Sequence, residues 1–327
     1  MKAYTIQEND AGQRLDKFIA KAVPLLPKGL LYKGIRTKRI KINGKRCEAG
    51  QKLLKGDQIE LYLNDEFFEH DTQLLFLSAP SNPHILYEDD YILLCDKPAG
   101  LVVHEDNRGT SDTLIHRIQH YLYDKGAYQP QDELSFAPAL CNRIDRNTGG
   151  IVIAAKNAES LRILNEKIRN HELHKKYLCI LVGYIEPPQG TLIHYMRKDE
   201  RNNIVDVFDR PANGLRTMVS HYQTIARRHG LTLAEVALET GRTHQIRAQF
   251  AHAGHPLLGD GKYGNGEINR RMGLKRQALY SYSVAFHFRS DAGILQYLDG
   301  KEFTVPDVWF TEMFKDDSPD SIAKIRE

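Results

Sequence analysis

The chain has 327 residues, of which 41% are hydrophobic and 27% are charged, a balance typical of a globular protein. This length allows two domains, and the apolar runs are far too short to cross a bilayer. The cysteines form no CxxC pair, which argues against a zinc site and a disulfide framework and favours a reducing cytoplasm; they are Cys47, Cys95, Cys141 and Cys179. The start of the chain lacks a basic segment followed by an apolar one, so we expect no secretory signal.

The charge is unevenly distributed along the chain, although the net charge is only +3. Residues 1–63 hold fourteen Lys and Arg against six Asp and Glu, whereas residues 64–90 hold seven Asp and Glu and no Lys or Arg. A basic module is therefore followed by an acidic connector. Binding to a phosphate backbone requires local positive charge of this kind, whatever the whole chain sums to.

The basic module contains a compact set of predicted elements. Helical spacing of apolar residues predicts a helix over residues 12–23 and a shorter one over 28–35. Isoleucines alternate with lysines over residues 40–42, and the dipeptide Asn43-Gly44 that follows is a strong hairpin signal. Alternating apolar residues at 59, 61 and 63 then predict another strand.

These elements resemble the αL-type RNA-binding domain of a ribosomal small-subunit protein and of many RNA-modifying enzymes. The matching stretches read RLDKFIA, IRTKRIKINGKR and LLKGDQIEL. The resemblance implies that the second helix and the basic loop contact RNA phosphates, with Lys38, Arg39, Lys41 and Lys45 as binding residues. The alternative is a solvated basic surface on a small β-domain.

The rest of the chain reads as mixed strand and helix. Residues 91–95 form a predicted buried strand that continues after a turn at 101–104. Asn157 is a predicted N-cap of a helix bearing Leu161, Leu164 and Ile168. Residues 64–83 are predicted to be an acidic linker. Apolar residues near Phe76 are expected to dock this linker onto one of the domains.

The strands continue further along the chain. Residues 177–182 and 231–238 are predicted strands, the second with an irregularity near Ala234. Thr243 is a predicted N-cap of a helix that ends at Gly254. The pattern favours a mixed, largely antiparallel sheet, and neither GxGxxG nor GxxxxGK[ST] occurs, so a nucleotide cofactor has no support.

The most informative stretch is 142–150, which precedes an apolar run at 151–155. It places Asp145 between Arg143 and Arg146 at the end of a predicted buried strand. Adjacent cations favour the ionised carboxylate, which suits nucleophilic attack or electrostatic stabilisation. The same pattern also fits a structural ion pair.

Four segments place cations and one carboxylate at turns, and a fifth follows them. These are residues 96–104, 142–150, 175–177, 241–247 and 254–264. The order of these segments and the residues in them resemble the RluA-type pseudouridine synthase family over roughly residues 84–290. The resemblance implies isomerisation of uridine to pseudouridine in RNA by one aspartate, without a metal or a cofactor.

The resemblance also implies roles for particular residues. Asp145 takes the position of the essential aspartate, Arg143 that of the arginine that fills the gap left by a flipped uridine, and Tyr177 that of the active-site tyrosine. The arginine that pairs with the aspartate is Arg242 or Arg247, and we favour Arg247 because it lies beside core-facing residues of the predicted helix. Arg242 and His244 are then expected to bind substrate. Whether the aspartate attacks C1′ or C6, or assists a glycal route, stays open.

Two letters depart from the family pattern. Asn142 stands where the family has His, and Gly149 stands where it has Ser. Asn can replace one hydrogen bond of His but carries no charge, and Gly149 is expected to loosen the turn. A metal site at His244, His252 and His255 is not supported by the ligand spacing.

The sequence therefore predicts an α+β protein with three parts: an RNA-binding domain (1–63), an acidic linker (64–83) and a catalytic domain with a pseudouridine synthase fold (84–327). We expect a cytoplasmic monomer that binds RNA and no membrane. The expected substrate is structured RNA, above all 23S-type ribosomal RNA. The alternatives are a synthase that acts on transfer RNA, a non-catalytic RNA-binding or ribosome-assembly factor, and an RNA N-glycosylase that uses Asp145.

Overall fold

The computed structural model describes residues 1–68, 74–105, 109–274 and 276–315. The predicted linker and the C-terminal end of the predicted catalytic domain therefore lie partly outside the described residues. Within the described part of the chain, no helix is long and apolar enough to cross a membrane.

The N-terminal module is a four-stranded antiparallel sheet with two helices. The strands pair in the order β1-β4-β2-β3 and enclose a small core around Phe18 and Leu53. Asn43 and Gly44 both have positive φ, as the predicted tight hairpin requires. The elements are β1 (Lys2–Thr5), α1 (Leu15–Ala22), α2 (Lys28–Arg36), β2 (Ile40–Ile42), β3 (Lys45–Arg46) and β4 (Gln58–Leu61).

The second sheet has eleven strands, and among the described strand pairs only β8 and β14 run parallel. The mixed, largely antiparallel prediction is thus confirmed. The strands pair in the order β11-β10-β12-β13-β9-β14-β8-β6-β5, with β7 on β8 and β15 on β14. They are β5 (Ile85–Glu88), β6 (Ile92–Lys97), β7 (Ala139–Leu140), β8 (Gly149–Ala155), β9 (Leu173–Val182), β10 (Gln189–Asp199), β11 (Ile204–Phe208), β12 (Arg216–Arg228), β13 (Leu231–Leu238), β14 (Leu279–Phe286) and β15 (Glu302–Thr304).

Helices and cores cover both faces of this sheet. Along β8, Ile151 and Ile153 enter one core while Val152 and Ala154 enter the other, which explains a continuous apolar run instead of alternation. The helices are α3 (Leu114–Asp124), α4 (Ala158–Arg169), α5 (Gln245–His252) and α6 (Gly266–Met272). Asn157 caps α4 as predicted, since its side chain accepts from the Ser160 N–H at 2.8 Å.

Three local predictions differ from the structure. Residues 101–104 form no strand, and among them only Val102 makes an isolated bridge. The side chain of Lys97 donates to the Leu101 carbonyl and so stabilises a turn at this place. The irregularity near Ala234 lies on the partner strand, where β12 shifts register between Thr224 and Ala226. Helix α5 begins at Gln245, so its N-cap is His244 and not Thr243. His244 takes a left-handed, non-helical conformation with φ of 53°.

Polar contacts join the N-terminal module to the large sheet. The fully buried Asp10 accepts a hydrogen bond from Ser135 at 2.6 Å, and Gln13 donates to the same hydroxyl at 2.7 Å. Asn9 donates to Glu133 at 2.7 Å. In addition, Arg162 of α4 donates to a backbone carbonyl of the module at 2.8 Å.

The segment between the two sheets is partly docked. Phe67 and Phe68 pack against the N-terminal core, and Phe76 is buried among the rings of Tyr123 and Tyr128. Residues 69–73 lie outside the described part. The division of the chain at residues 63 and 83 stays a prediction.

Candidate active site

A cleft of about 440 Å³ opens next to the N-terminal end of β8. Its walls come from the 141–148 loop, the end of α4 with the start of β9, and the 238–247 segment that leads into α5. The cleft contains all six residues that the sequence analysis assigned to the active site: Arg143, Asp145, Tyr177, Arg242, His244 and Arg247.

Asp145 is held by an arginine that is itself held from behind. Nη1 of Arg247 donates to Oδ2 of Asp145 at 2.7 Å. Its Nε and Nη2 donate to Asp260 at 2.7 and 3.0 Å. Burial alone would lower the pKa of Arg247, but the two carboxylates outweigh it and raise that pKa. The guanidinium therefore stays charged and presents a single donor to Asp145.

Asp260 is fully buried and fully bonded. Besides Arg247, the backbone N–H groups of Lys262 and Tyr263 donate to its Oδ1. Burial would raise the pKa of Asp260, but the hydrogen bonds and charge of Arg247 outweigh burial and lower it. A buried ion pair with all its hydrogen bonds satisfied fixes geometry well, because neither partner has a better alternative.

His244 approaches the same carboxylate oxygen, with Nε2 at 3.8 Å from Oδ2 of Asp145. Its Nδ1 lies 2.9 Å from the hydroxyl of Tyr263, and that hydroxyl accepts from the Val205 N–H at 2.8 Å. Because Nε2 faces a carboxylate oxygen, we assign the imidazole proton to Nε2, so that Nδ1 accepts from the Tyr263 hydroxyl. Burial above all, with the charges of Arg247 and Lys262, lowers the pKa of His244 to about 4 despite the nearby Asp145.

The second oxygen of Asp145 is left open. Arg247 donates to Oδ2 and His244 lies 3.8 Å from it, whereas Oδ1 has no hydrogen bond within the described residues. The Asp145 side chain is 28% exposed, toward the cleft. A charged, oriented carboxylate with one free oxygen can act as a nucleophile.

The neighbouring arginines do not pair with Asp145. Nε of Arg146 donates to the Gly100 carbonyl at 3.0 Å, which ties the aspartate loop to the 97–101 turn. The fully buried Lys97 supports the same turn by donating to the carbonyls of Pro98, Leu101 and Arg146 at 2.8–3.0 Å. Arg143 is exposed at the cleft. The reading of the stretch as an Arg-Asp-Arg ion pair is therefore wrong.

Tyr177 lies on β9 at the floor of the cleft and is only 7% exposed. Burial raises its pKa to about 12, although a hydrogen bond with Ser281 acts in the opposite direction. The phenol is therefore neutral at physiological pH. It can offer an aromatic face and an O–H donor, but it is not a base.

Both departures from the family pattern have structural reasons. Oδ1 of Asn142 accepts from the Ile153 N–H at 2.8 Å, and its amide reaches the Ile151 carbonyl at 3.4 Å, so the side chain extends the pairing of β8. A Cβ on Gly149 would lie 2.4 Å from the ring of Tyr280. Gly149 is thus a buried strand residue under an aromatic ring, and the expectation that it loosens the turn is wrong.

The remaining predicted residues lie elsewhere. Lys38, Arg39, Lys41 and Lys45 belong to the hairpin region of the N-terminal module and do not line the cleft. The three histidines considered for a metal also separate: His252 contacts Asp209 at 2.7 Å and His255 lies 3.1 Å from the Val182 carbonyl, while His244 faces Asp145.

Sequence reasoning missed Asp260 and Tyr263 as site residues. Asp260 and Tyr263 lie in the 254–264 segment, which was noted only as part of the family order. Their signal was an acidic residue between two glycines, a pattern that by itself indicates only a turn. Their partners are distant in sequence, so no spacing rule connects them.

Comparison with known proteins agrees with this geometry. A family model described as RNA pseudouridylate synthase matches residues 91–252, and a model described as S4 domain matches residues 13–59. The chain is 30% identical over 292 residues to ribosomal large subunit pseudouridine synthase C of Buchnera aphidicola, covering 86% of this chain and 88% of that protein. It is also 30% identical over 289 residues to the protein of the same name from Haemophilus ducreyi, with coverages of 86% and 87%.

A solved structure shares the fold at low identity. Human RNA pseudouridylate synthase domain containing 1 superposes with a TM-score of 0.56 and 17% identity, covering 75% of this chain and 95% of that one. The family model and the curated relatives define an RNA-modifying isomerase. The chain belongs to the RNA pseudouridine synthase family, as its RluA-type resemblance implied, and it carries an N-terminal S4 domain.

Proposed function

We propose that this protein converts uridine to pseudouridine in large-subunit ribosomal RNA and that Asp145 is the nucleophile. The observation that carries the proposal is the chain Asp260–Arg247–Asp145, which presents one free carboxylate oxygen to the cleft. Relatives that are 30% identical over most of their length are named for the ribosomal large subunit, which supports this choice of RNA.

The chemistry requires a carboxylate and little else. The bond between N1 of uracil and C1′ breaks, a bond between C5 and C1′ forms, and the proton on C5 is replaced by one on N1, so no atom is gained or lost. Oδ1 of Asp145 attacks the target nucleotide while Arg247 holds Oδ2 and His244 lies beside it. Because Arg247 is oriented before the substrate arrives, the carboxylate needs little reorganisation during the reaction.

The target base has to leave its stack before Asp145 can reach it. Arg143 is exposed beside Asp145 and fills the space that the flipped uridine leaves. The ring of Tyr177 contacts the uracil from below, and its neutral phenol donates a hydrogen bond but accepts no proton at neutral pH. Arg242 and His244, which line the same cleft, contact the same nucleotide.

The N-terminal module supplies affinity away from the cleft. Lys38, Arg39 and Lys45 are exposed, and we assign them, with Lys41, to RNA phosphates. We also propose a monomer, because Asp145, Arg247 and Asp260 form their hydrogen-bonded chain within a single polypeptide. The relatives named for the ribosomal large subunit come from bacteria, which supports a cytoplasmic location.

The test compares RNA from cells with and without the gene, and from cells that carry Asp145→Asn. Carbodiimide labelling followed by reverse transcription reveals pseudouridine as a stop. We expect a stop in large-subunit ribosomal RNA that is lost on deletion and is not restored by Asp145→Asn. Loss of a stop in transfer RNA alone would show that transfer RNA is the substrate instead.

Two other outcomes contradict the proposed formation of pseudouridine. If no stop is lost and the purified protein forms no pseudouridine, the chain is a binding or assembly factor. If free uracil and abasic RNA accumulate, Asp145 cleaves the glycosidic bond without reattaching the base. An RNA product of unchanged mass excludes this second case.

A further inference from the structure

The active-site cleft extends beyond the reach of Asp145. Where α4 ends and β9 begins, the cleft is lined by Cys141, Arg169, His171 and Lys175; we call this part of the cleft the second lobe. Lys175 precedes Tyr177 by two residues on β9, so the two side chains lie on the same face of the sheet. Two residues of a strand span roughly 7 Å, and Lys175 therefore lies next to, and not within, the space for the target base.

Lys175 differs from neighbouring lysines in having no acidic partner within the described residues. Lys176 pairs with Glu235 at 3.5 Å, and the buried Lys167 pairs with Glu172 at 3.0 Å. Burial lowers the pKa of Lys175 to about 8, while the thiol of Cys141 acts in the opposite direction. The side chain is thus a partly buried ammonium, still mostly charged at neutral pH, that faces a cleft.

An ammonium in such a place is costly unless an anion neutralises it. Arg169 and His171 are exposed at the same lobe and also have no ion pair in the described part of the chain. The carboxyl end of α4 adds a partial negative charge there, which is smaller than the combined positive charge of Lys175 and Arg169. The excess positive charge fits an external anion.

We propose that this lobe is an RNA phosphate subsite in which Lys175 binds the backbone beside the target uridine. This inference rests on the proposed function for the identity of the ligand. The bond to phosphate is electrostatic, so removing Lys175 should weaken RNA binding and its salt dependence and leave the chemical step unchanged.

The experiment uses the full chain with Lys175→Met, Lys175→Arg and the matched control Lys176→Met. Methionine keeps the apolar stem of the side chain and removes its charge. The probe is an unmodified transcript of large-subunit ribosomal RNA labelled with tritium at C5 of uridine. Binding is measured across salt concentrations, and the release of tritium is measured in single turnover at saturating enzyme.

We expect Lys175→Met to weaken binding about tenfold and to reduce the slope of log K against log salt by roughly 0.7–0.9. Its single-turnover rate should stay within about twofold of wild type, and its melting temperature should rise because an unpaired buried charge is gone. Lys175→Arg should keep the salt slope, and Lys176→Met should bind like wild type.

An unchanged salt slope in Lys175→Met overturns the inference, whatever happens to the rate. A loss of slope of the same size in Lys176→Met also overturns it, because the effect would then be general surface charge. If wild-type protein binds the transcript but releases no tritium, the proposed function fails, while the binding measurements still decide whether Lys175 contacts phosphate.

Discussion

Replacing Asp260 with Asn tests whether the geometry of the site depends on a residue that does not touch the substrate. Asp260 is fully buried and receives two hydrogen bonds from Arg247, at 2.7 and 3.0 Å. Two backbone N–H groups donate to Oδ1 and keep the amide oxygen of Asn on that side. The amide nitrogen would then face Nε of Arg247, so two donors would meet.

The expected loss of stability follows from this contact. Breaking one side of a buried ion pair costs roughly 3–5 kcal/mol, and we expect about 3 kcal/mol because one hydrogen bond survives. For a cooperative unit of roughly 250 residues this lowers the melting temperature by about 6–12 °C. If Arg247 then loses about 2 kcal/mol of its orienting effect on Asp145, the single-turnover rate falls about 30-fold.

The pH dependence of this stability loss has a definite sign. The pKa of Asp260 in the folded chain lies below the unfolded value near 3.8. The ionised carboxylate therefore stabilises the fold above pH 3.8, and this contribution is lost as the pH falls through the folded pKa. The difference in melting temperature between wild type and Asp260→Asn should be constant above that value and shrink in acid.

Tritium release and thermal unfolding of both proteins check the prediction, with Asp206→Asn as the control. Asp206 pairs with Arg197 at 3.6 Å and is 48% exposed, so its loss should change stability by less than about 1 kcal/mol. If Asp260→Asn melts within 2 °C of wild type (well inside the roughly 6–12 °C shift expected) and keeps the wild-type rate, Arg247 does not need Asp260 and the argument fails.

Three further predictions concern residues 142–150 and the side chains around Asp145. Gly149→Ala should destabilise the protein by roughly 1–3 kcal/mol because the new Cβ meets Tyr280 at 2.4 Å; in thermal unfolding, combining it with Tyr280→Ala should give less than the sum of the two losses, and strict additivity would contradict the contact. Asn142→Ala should cost about 1–2 kcal/mol by leaving the Ile153 N–H without its acceptor, and an unchanged urea midpoint would contradict this. Because the pKa of His244 is lowered to about 4 and that of Tyr177 is raised to about 12, neither group changes charge between about pH 5 and pH 9; a step in the single-turnover rate within that range that disappears in His244→Gln would refute the assignment of a neutral imidazole.

The elements that the sequence predicted well are those in which local pattern and tertiary role agree. The apolar run of β8 is buried on both faces, the Asn157 cap forms as expected, and the Asn43-Gly44 turn joins β2 to β3. In each case the residues that determine the conformation are neighbours in the chain, so a single sequence contains the whole signal.

The predictions that failed depended on distant partners. Residues 101–104 look like a strand, but the ammonium of Lys97 satisfies carbonyls of this turn and of the aspartate loop, 49 residues away. Thr243 looks like a helix cap, but His244 takes that position and reaches Tyr263. Local propensity cannot register contacts of this length.

The candidate site combines both kinds of information. The flanking arginines made Asp145 conspicuous in the sequence, yet neither of them pairs with it in the folded chain. The cation that does, Arg247, is 102 residues away, and the carboxylate that positions this cation lies 13 residues further on. An ion pair between neighbours in the chain would move together with its loop and would not fix the position of the carboxylate relative to the rest of the domain. A pair anchored through the buried Asp260 instead connects the orientation of Asp145 to the packing of α5 against the sheet, so the reactive oxygen is positioned only when the whole domain is folded.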